Sequence, residues 1–552
     1  MTPPRRRVSQ EPYSGRSKTR CLTCKRVKCD ETKPSCLRCT STGRKCDGYE
    51  SKTPPSFTRA SPPLPSLALS TLTNTGSERE LRSFQFFYAR TVPSLAGYCG
   101  SEFWSRLVLQ VSQHEKPVWH ALVALGALHE NFENMPFLSL TRDGGDTFAM
   151  REYLSAIRAL LGPMEASSFD SGCATGGASG MLTVDVCLIS CILFVCYEIL
   201  SNHYVAALGH IRSGIKILEA VYYDPGTGMY RHPFLRPSTT STLEIENLRN
   251  IFLRLHGQAW ALTRADIDNP SMSVIQLNAA FPTQVPLHFS TLAEARDLYE
   301  YHTCMMRCEY NNLLGTATES DLYTFGQRCV SLFQAWSNTL DQFENVRGPI
   351  LTTKDRIGLK ILQVHRCEQA MLLEQHLSGV GDSSRWDRYN AMFQEITSLS
   401  ASVVEMSAIH DSTSASRFKP NFSLDMGIIG PLYNVATLCR DPVIRRRAVG
   451  ILRGASRQEG VFNSHICAVA AEKVIALEES IAAEGGSESA AAGRRLSITR
   501  CSEVPDNARF SYAYPEFDIV RKTVSLRIGQ ETGVRIDLPL PAMTAMLDAE
   551  GV

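Results

Sequence analysis

Six cysteines fall within one short stretch, Cys21, Cys24, Cys29, Cys36, Cys39 and Cys46, with the spacing C-x2-C-x4-C-x6-C-x2-C-x6-C. Thiolates are soft ligands, and two C-x2-C pairs, each followed by a third cysteine, read as two pseudo-equivalent half-sites for a thiophilic ion. Tetrahedral zinc takes four ligands, so six sulfurs serve two zinc ions only if two of them bridge both. The resulting cluster is anionic. Lys and Arg side chains around it offset that charge and lower the thiol pKa values, which favours the metal-bound form.

The charge pattern points the same way. The chain has 552 residues and a formal net charge of +1, but residues 1–50 carry +8 and the remainder −7. A concentrated basic terminus on a slightly acidic chain suggests a polyanion partner, most often nucleic acid. Behind Arg5, Arg6 and Arg7 no apolar core precedes a small-residue cleavage site, so no secretory signal is expected and the chain should remain inside the cell. Those arginines read either as a solvated tail or as a nuclear import signal. In a reducing compartment the 18 cysteines are not a disulfide framework, and the twelve outside residues 21–46 are expected to be small buried hydrophobes.

The elements that carry this segment divide by composition. Residues 1–14 form a basic tail, 15–50 the cysteine module, and 51–77 a linker with five prolines and no apolar periodicity. From Glu78 the pattern becomes helical: Val118, Leu122, Leu125 and Leu128 lie three or four apart, as do Leu208, Ile211, Ile215 and Leu218. Further helices are expected at about 78–90, 102–113, 147–161, 243–262, 291–314, 321–344, 354–378, 385–408, 442–457 and 464–484, with Asp441 and Pro442 as a cap and first-turn signal. The apolar run Met181–Leu200 contains Asp185 and Glu198, which favours a buried core helix over a membrane span. Residues 141–146, 163–180 and 222–241 read as loops, the glycine-rich run 172–180 as a surface loop rather than a phosphate cradle. The fold class is therefore all-α: a small N-terminal module, a Pro-rich linker and a large multi-helix domain over 78–490, followed by a C-terminal segment, 491–552.

Residues 21–49 resemble the fungal zinc-cluster (Zn2Cys6) transcription factors. The matching features are the six cysteines, the basic run Lys25, Arg26, Val27, Lys28, the turn between Cys29 and Cys36 with Pro34, and the close Thr42, Gly43, Arg44, Lys45, Cys46. The resemblance implies a binuclear zinc cluster with two ions per chain, bridged by the first and fourth cysteines. Cys21, Cys24, Cys29 and Cys36 would hold one ion, and Cys21, Cys36, Cys39 and Cys46 the other. It implies that Arg26 reads a CCG-type triplet in double-stranded DNA, with Lys25 and Lys28 as phosphate or base neighbours and Arg20 and Lys33 as further contacts. Residues 81–88, 103–130, 185–218 and 439–442 with 457–461 resemble the helical fungal-specific regulatory domain of the same proteins. That domain implies partners in the transcription machinery or among co-regulators, a nuclear location and no catalytic residues.

One departure separates the chain from that pattern: Cys24 and Cys29 enclose four residues where the family has six. On a helix, ligands seven apart return to within about 20° of one face, whereas ligands five apart differ by about 140°. An impaired cluster would leave a helical co-regulator acting through protein partners, the alternative to direct DNA reading. A homodimer is compatible with the family, yet 51–77 holds no heptads. His114, His120 and His129 are expected to be ordinary helix residues, and Cys304 and Cys308 to pack in a core. No Gly-x-Ser-x-Gly, Walker A or Rossmann pattern occurs, so enzyme function is not expected.

Overall fold

The computed structural model describes residues 36–43, 46, 76–134, 147–169, 182–237, 242–263, 284–314, 317–377, 383–411, 420–485, 498–518, 523–529 and 535–539. The chain forms two compact units, Met1–Leu72 and Thr73–Val552. Among the described residues of the first lies one short helix, α1 (Leu37–Ser41). The glycine-rich run 172–180, the loop 141–146 and the residues of the tail 1–14 and linker 51–75 lie outside the described residues.

The second unit opens with α2 (Glu78–Phe86), where Ser77 and Glu80 form a reciprocal capping box that satisfies two first-turn amides. A π-turn at Phe87–Thr91 runs on into α3 (Val92–Leu95), and a second π-turn at Phe103–Leu107 into α4 (Val108–Ser112). Helix α5 (Lys116–Asn134) buries the expected Val118, Leu122, Leu125 and Leu128, together with Trp119, Val123 and Ala124 on its other sides. It is surrounded by α2, α6 (Thr147–Phe169) and α7 (Val184–Leu200). Every residue of α7 is buried, Asp185 and Glu198 included, as a core helix requires. Among the described residues no helix is long and apolar enough to cross a membrane. In α8 (Tyr204–Ala220) the buried stripe is Tyr204, Ala207, Ile211, Ile215 and Leu218, with Leu208 at its margin. Gly214 faces α9 (Thr242–Thr263) so closely that a Cβ would lie 1.9 Å from the Phe252 ring.

Helices α10 (Leu292–Leu313), α11 (Glu319–Arg347) and α12 (Thr353–Leu377) share a core of Leu292, Leu298, Trp336, Leu340, Phe343 and Leu362. Trp336 Nε1 donates to the Ala295 carbonyl at 2.9 Å, satisfying the one polar atom of that buried ring. A second core joins α12 to α13 (Asn390–Asp411), α14 (Ile429–Leu438), α15 (Pro442–Ala455) and α16 (Ser464–Gly485). Its polar centre is an ion triad. Glu478, fully buried, accepts from Arg445 at 2.7 Å and from Arg440 at 2.5 Å, and Arg440 also donates to the Phe510 carbonyl at 2.6 Å.

Helix α15 starts as its residues dictate: the Asp441 carboxylate accepts from the amides of Val443 and Ile444 at 3.0 Å, and Pro442 sits in the first turn, where it wastes no donor. Asp441→Ala is expected to cost about 1 kcal/mol, read as a lowered urea midpoint with unchanged slope.

Two expectations are corrected. Residues 163–169 continue α6 rather than forming a loop; Pro163 removes a single backbone donor without stopping the turns beyond it. Among the described residues three small sheets accompany the helices. Strands β1 (Tyr222–Asp224) and β2 (Met229–Arg231) form an antiparallel hairpin in the stretch read as loop. Its turn is tied by Asp224, which accepts from Gly226 N and Thr227 Oγ1, and Gly228 supplies the positive φ, +67°. Strand β3 (Asn421–Ser423) pairs parallel with β4 (Arg457–Glu459), which pairs antiparallel with β5 (Phe462–Asn463). An antiparallel meander of β6 (Tyr512–Asp518), β7 (Thr523–Gly529) and β8 (Arg535–Pro539) occupies the C-terminal segment, with Leu526 and Ile528 in the second core.

Candidate metal centre

The described part of the cysteine segment is built by α1 and the turn after it. Backbone amides of Cys39 and Thr40 donate to the Cys36 carbonyl at 3.1 and 3.2 Å, which winds the C-x2-C pair into a helical turn and sets both side chains on one side. Gly43, at φ +68°, ends the turn in the left-handed region and lets the chain come back toward Cys36. The result is that Sγ of Cys36, Cys39 and Cys46 all lie within 4.8 Å of one another. Cys36 and Cys39 are buried and Cys46 half-buried, and none is in a disulfide.

Two backbone amides complete the cradle. Cys39 N–H donates to Sγ of Cys36 at 3.4 Å, and Cys36 N–H donates to Sγ of Cys46 at 3.4 Å. Amides aimed at sulfur stabilise thiolate, the form a metal takes. A tetrahedral zinc with Zn–S bonds of about 2.3 Å separates its sulfurs by about 3.8 Å, a spacing these three thiols meet with little adjustment. Donor type, number and grouping thus fit three of the four ligands of a structural zinc site. Sequence spacing points to the sulfurs but not to the amides, which emerge only once the turn is folded.

Cys21, Cys24 and Cys29 lie outside the described residues, as do Arg20, Lys25, Arg26, Lys28 and Lys33. Among the described residues no other group of His, Cys, Asp or Glu converges as these three cysteines do.

Over its length the chain aligns with the aspercryptin biosynthesis cluster-specific transcription regulator atnN of Emericella nidulans, 24% identical over 624 residues, covering 94% of this chain and 96% of that protein. Two shorter, closer matches fall in the N-terminal region. The transcriptional regulatory protein moc3 of Schizosaccharomyces pombe is 61% identical over 41 residues, 7% of this chain and 8% of that one. The transcription factor lfc1 of Flammulina velutipes is 49% identical over 57 residues, 10% and 20% of the two chains. The chain is a homologue of fungal transcription regulators. No family model and no solved structure matches the chain.

The remaining candidates in the helical unit have structural work. His120 pairs with Glu152 at 2.7 Å and His129 with Thr91 Oγ1 at 2.9 Å, both across helix contacts. Cys304 and Cys308 are buried. Thiols on α7 are held protonated by burial, with Cys187 and Cys191 each pushed up to about 12.

Proposed function

We propose that this chain is a zinc-dependent, sequence-specific DNA-binding regulator of RNA polymerase II transcription that acts in the nucleus. The observation that carries the reading is the convergence of Cys36, Cys39 and Cys46 with two amides directed at their sulfurs, in a homologue of transcription regulators. Cys21, Cys24, Cys29 and Cys36 would hold one zinc, and Cys21, Cys36, Cys39 and Cys46 the second. Such a site is closed: all ligands are protein sulfurs, so zinc supplies folding energy rather than catalysis. Arg26 would read a CCG-type triplet, with Lys25 and Lys28 as phosphate or base neighbours and Arg20 and Lys33 as further DNA contacts. Residues 15–50 would form the DNA-binding module, 51–77 the tether, and 78–490 the surface for transcription machinery or co-regulators.

Binding of the full chain to CCG-containing and scrambled duplexes, titrated across salt, tests this reading. Affinity is expected to fall with a log–log slope of about −0.9 per phosphate contact. Arg26→Ala should lose about 1–3 kcal/mol of preference for CCG sites, whereas Lys33→Ala should weaken all duplexes alike. A flat salt response, or one zinc or none per chain, would favour the co-regulator reading that the four-residue gap between Cys24 and Cys29 supports.

A further inference from the structure

Outside the metal centre, two thiols from distant parts of the chain meet on one side-chain amide. The Cys439 thiol donates to Asn390 Oδ1 at 3.5 Å, and Asn390 Nδ2 donates to Sγ of Cys501 at 3.2 Å. The oxygen and nitrogen of a primary amide are about 2.2 Å apart, so both sulfurs lie along a single edge of Asn390. The two thiols differ in setting. Cys439 is buried at the end of α14, where removal from water pushes its pKa up to about 12. Cys501 is half-buried on a short turn, Cys501–Glu503, where an oxidant can reach its sulfur, and accepts the hydrogen bond from Asn390. Neither sits inside a helix: Cys439 has extended dihedrals at a helix end, and Cys501 begins its turn. Neither backbone is locked into a helical hydrogen-bond ladder on both sides, and the bond requires the two sulfurs to close from their shared amide to about 2.05 Å.

We propose that Cys501 and Cys439 are a reversible thiol–disulfide site at which a hydroperoxide oxidant fastens the C-terminal segment to the helical core. Cys501 attacks one peroxide oxygen, the O–O bond breaks, and the leaving hydroxide takes up the proton of the thiol as water, giving a sulfenic acid. The Cys439 sulfur then displaces that hydroxyl; the S–O bond breaks, the S–S bond forms, and the Cys439 proton leaves with a second water. Two thiols are oxidised by two electrons and one hydrogen peroxide is reduced to two waters. A dithiol reductant reverses the bond by exchange.

What the bond would restrain is specific. Cys501 heads the segment that inserts Phe510 beside the buried ion triad, its carbonyl bonded by Arg440 and its amide donating to Glu478 at 3.1 Å. Arg509 already ties this turn to itself, donating to the carbonyls of Cys501 at 3.0 Å and Val504 at 2.8 Å. A covalent link at Cys501 holds the whole of that insert against α14.

The test uses the zinc-loaded full chain, treated with hydrogen peroxide at near-stoichiometric dose, alkylated, digested and read by peptide mass spectrometry. The expected result is a Cys439–Cys501 cross-link that disappears with dithiothreitol and is absent in Cys501→Ser, a half-buried position whose change spares the core. Asn390→Ala should slow its formation about tenfold, and limited proteolysis between 498 and 518 should slow about tenfold on oxidation. Cys501 sulfenylated without a partner, Cys439 alkylatable after full oxidation, or Cys501 joined to another cysteine would each overturn the proposal. DNA binding does not enter these readouts, so they stand apart from the function proposed above.

Discussion

Glu478→Ala is expected to destabilise the helical unit by about 3–5 kcal/mol, a large part of the about 5–15 kcal/mol that holds a typical domain together. The carboxylate is fully buried and is shared by two guanidiniums, Arg440 and Arg445, each about 1% exposed. Removal leaves both charges in a dry interior and the Phe510 amide without its acceptor. Burial already holds the Arg440 guanidinium below its ordinary pKa, even with Glu478 beside it. A control separates charge burial from charge pairing. Glu479→Ala removes the partner of half-exposed Arg446 on the same two helices and should cost less than about 1 kcal/mol. Urea unfolding of both variants, followed by circular dichroism at neutral pH, measures the difference, and equal shifts would mean that the triad is no more than a surface pair.

On the proposed function, chelation of zinc is expected to unfold the cysteine module while the helical unit melts unchanged, because a structural zinc site contributes about 10–16 kcal/mol to a segment too small to hold a core of its own. Thiol labelling of Cys36, Cys39 and Cys46 with and without chelator reads the first half, and the thermal midpoint of the full chain the second. Cys36→Ala, which removes a thiolate assigned to both ions, should lose two zincs, and Cys46→Ala chiefly one. Equal loss in the two variants would argue for separate rather than bridged sites.

The grouping of Cys36, Cys39 and Cys46 was legible because ligation imposes its own spacing: C-x2-C sets two sulfurs on one turn whatever surrounds it, as Cys36 and Cys39 illustrate. The cap at Asp441 was legible for the same reason, since donor and acceptor lie within three residues. Helix α7 could be read from a run of apolar residues with charges at its ends. The hairpin β1–β2 carried a turn signal, Asp224-Pro225-Gly226 between tyrosines, but its strands are only three residues each, too short to stand out from the loop the stretch was read as. In β7, Val524, Leu526 and Ile528 alternate with Ser525 and Arg527. The triad was not legible. Glu478 lies 38 residues from Arg440 and 33 from Arg445, and nothing local marks three charged residues as buried.

The complete burial of α7 has a consequence for the chain's own synthesis. A helix with no solvent face cannot rest at a surface, and its cover comes from both directions: α5 precedes it, while α8 and α9 follow. At about 5–20 residues per second, the stretch Val184–Leu200 leaves the ribosome seconds before α9 is available to close over it. During that interval seventeen mostly apolar residues lack part of their cover. Truncations ending between Leu200 and Thr242 should therefore be chaperone-bound or insoluble, and the quantity of regulator a cell accumulates would depend on how often that window is passed safely.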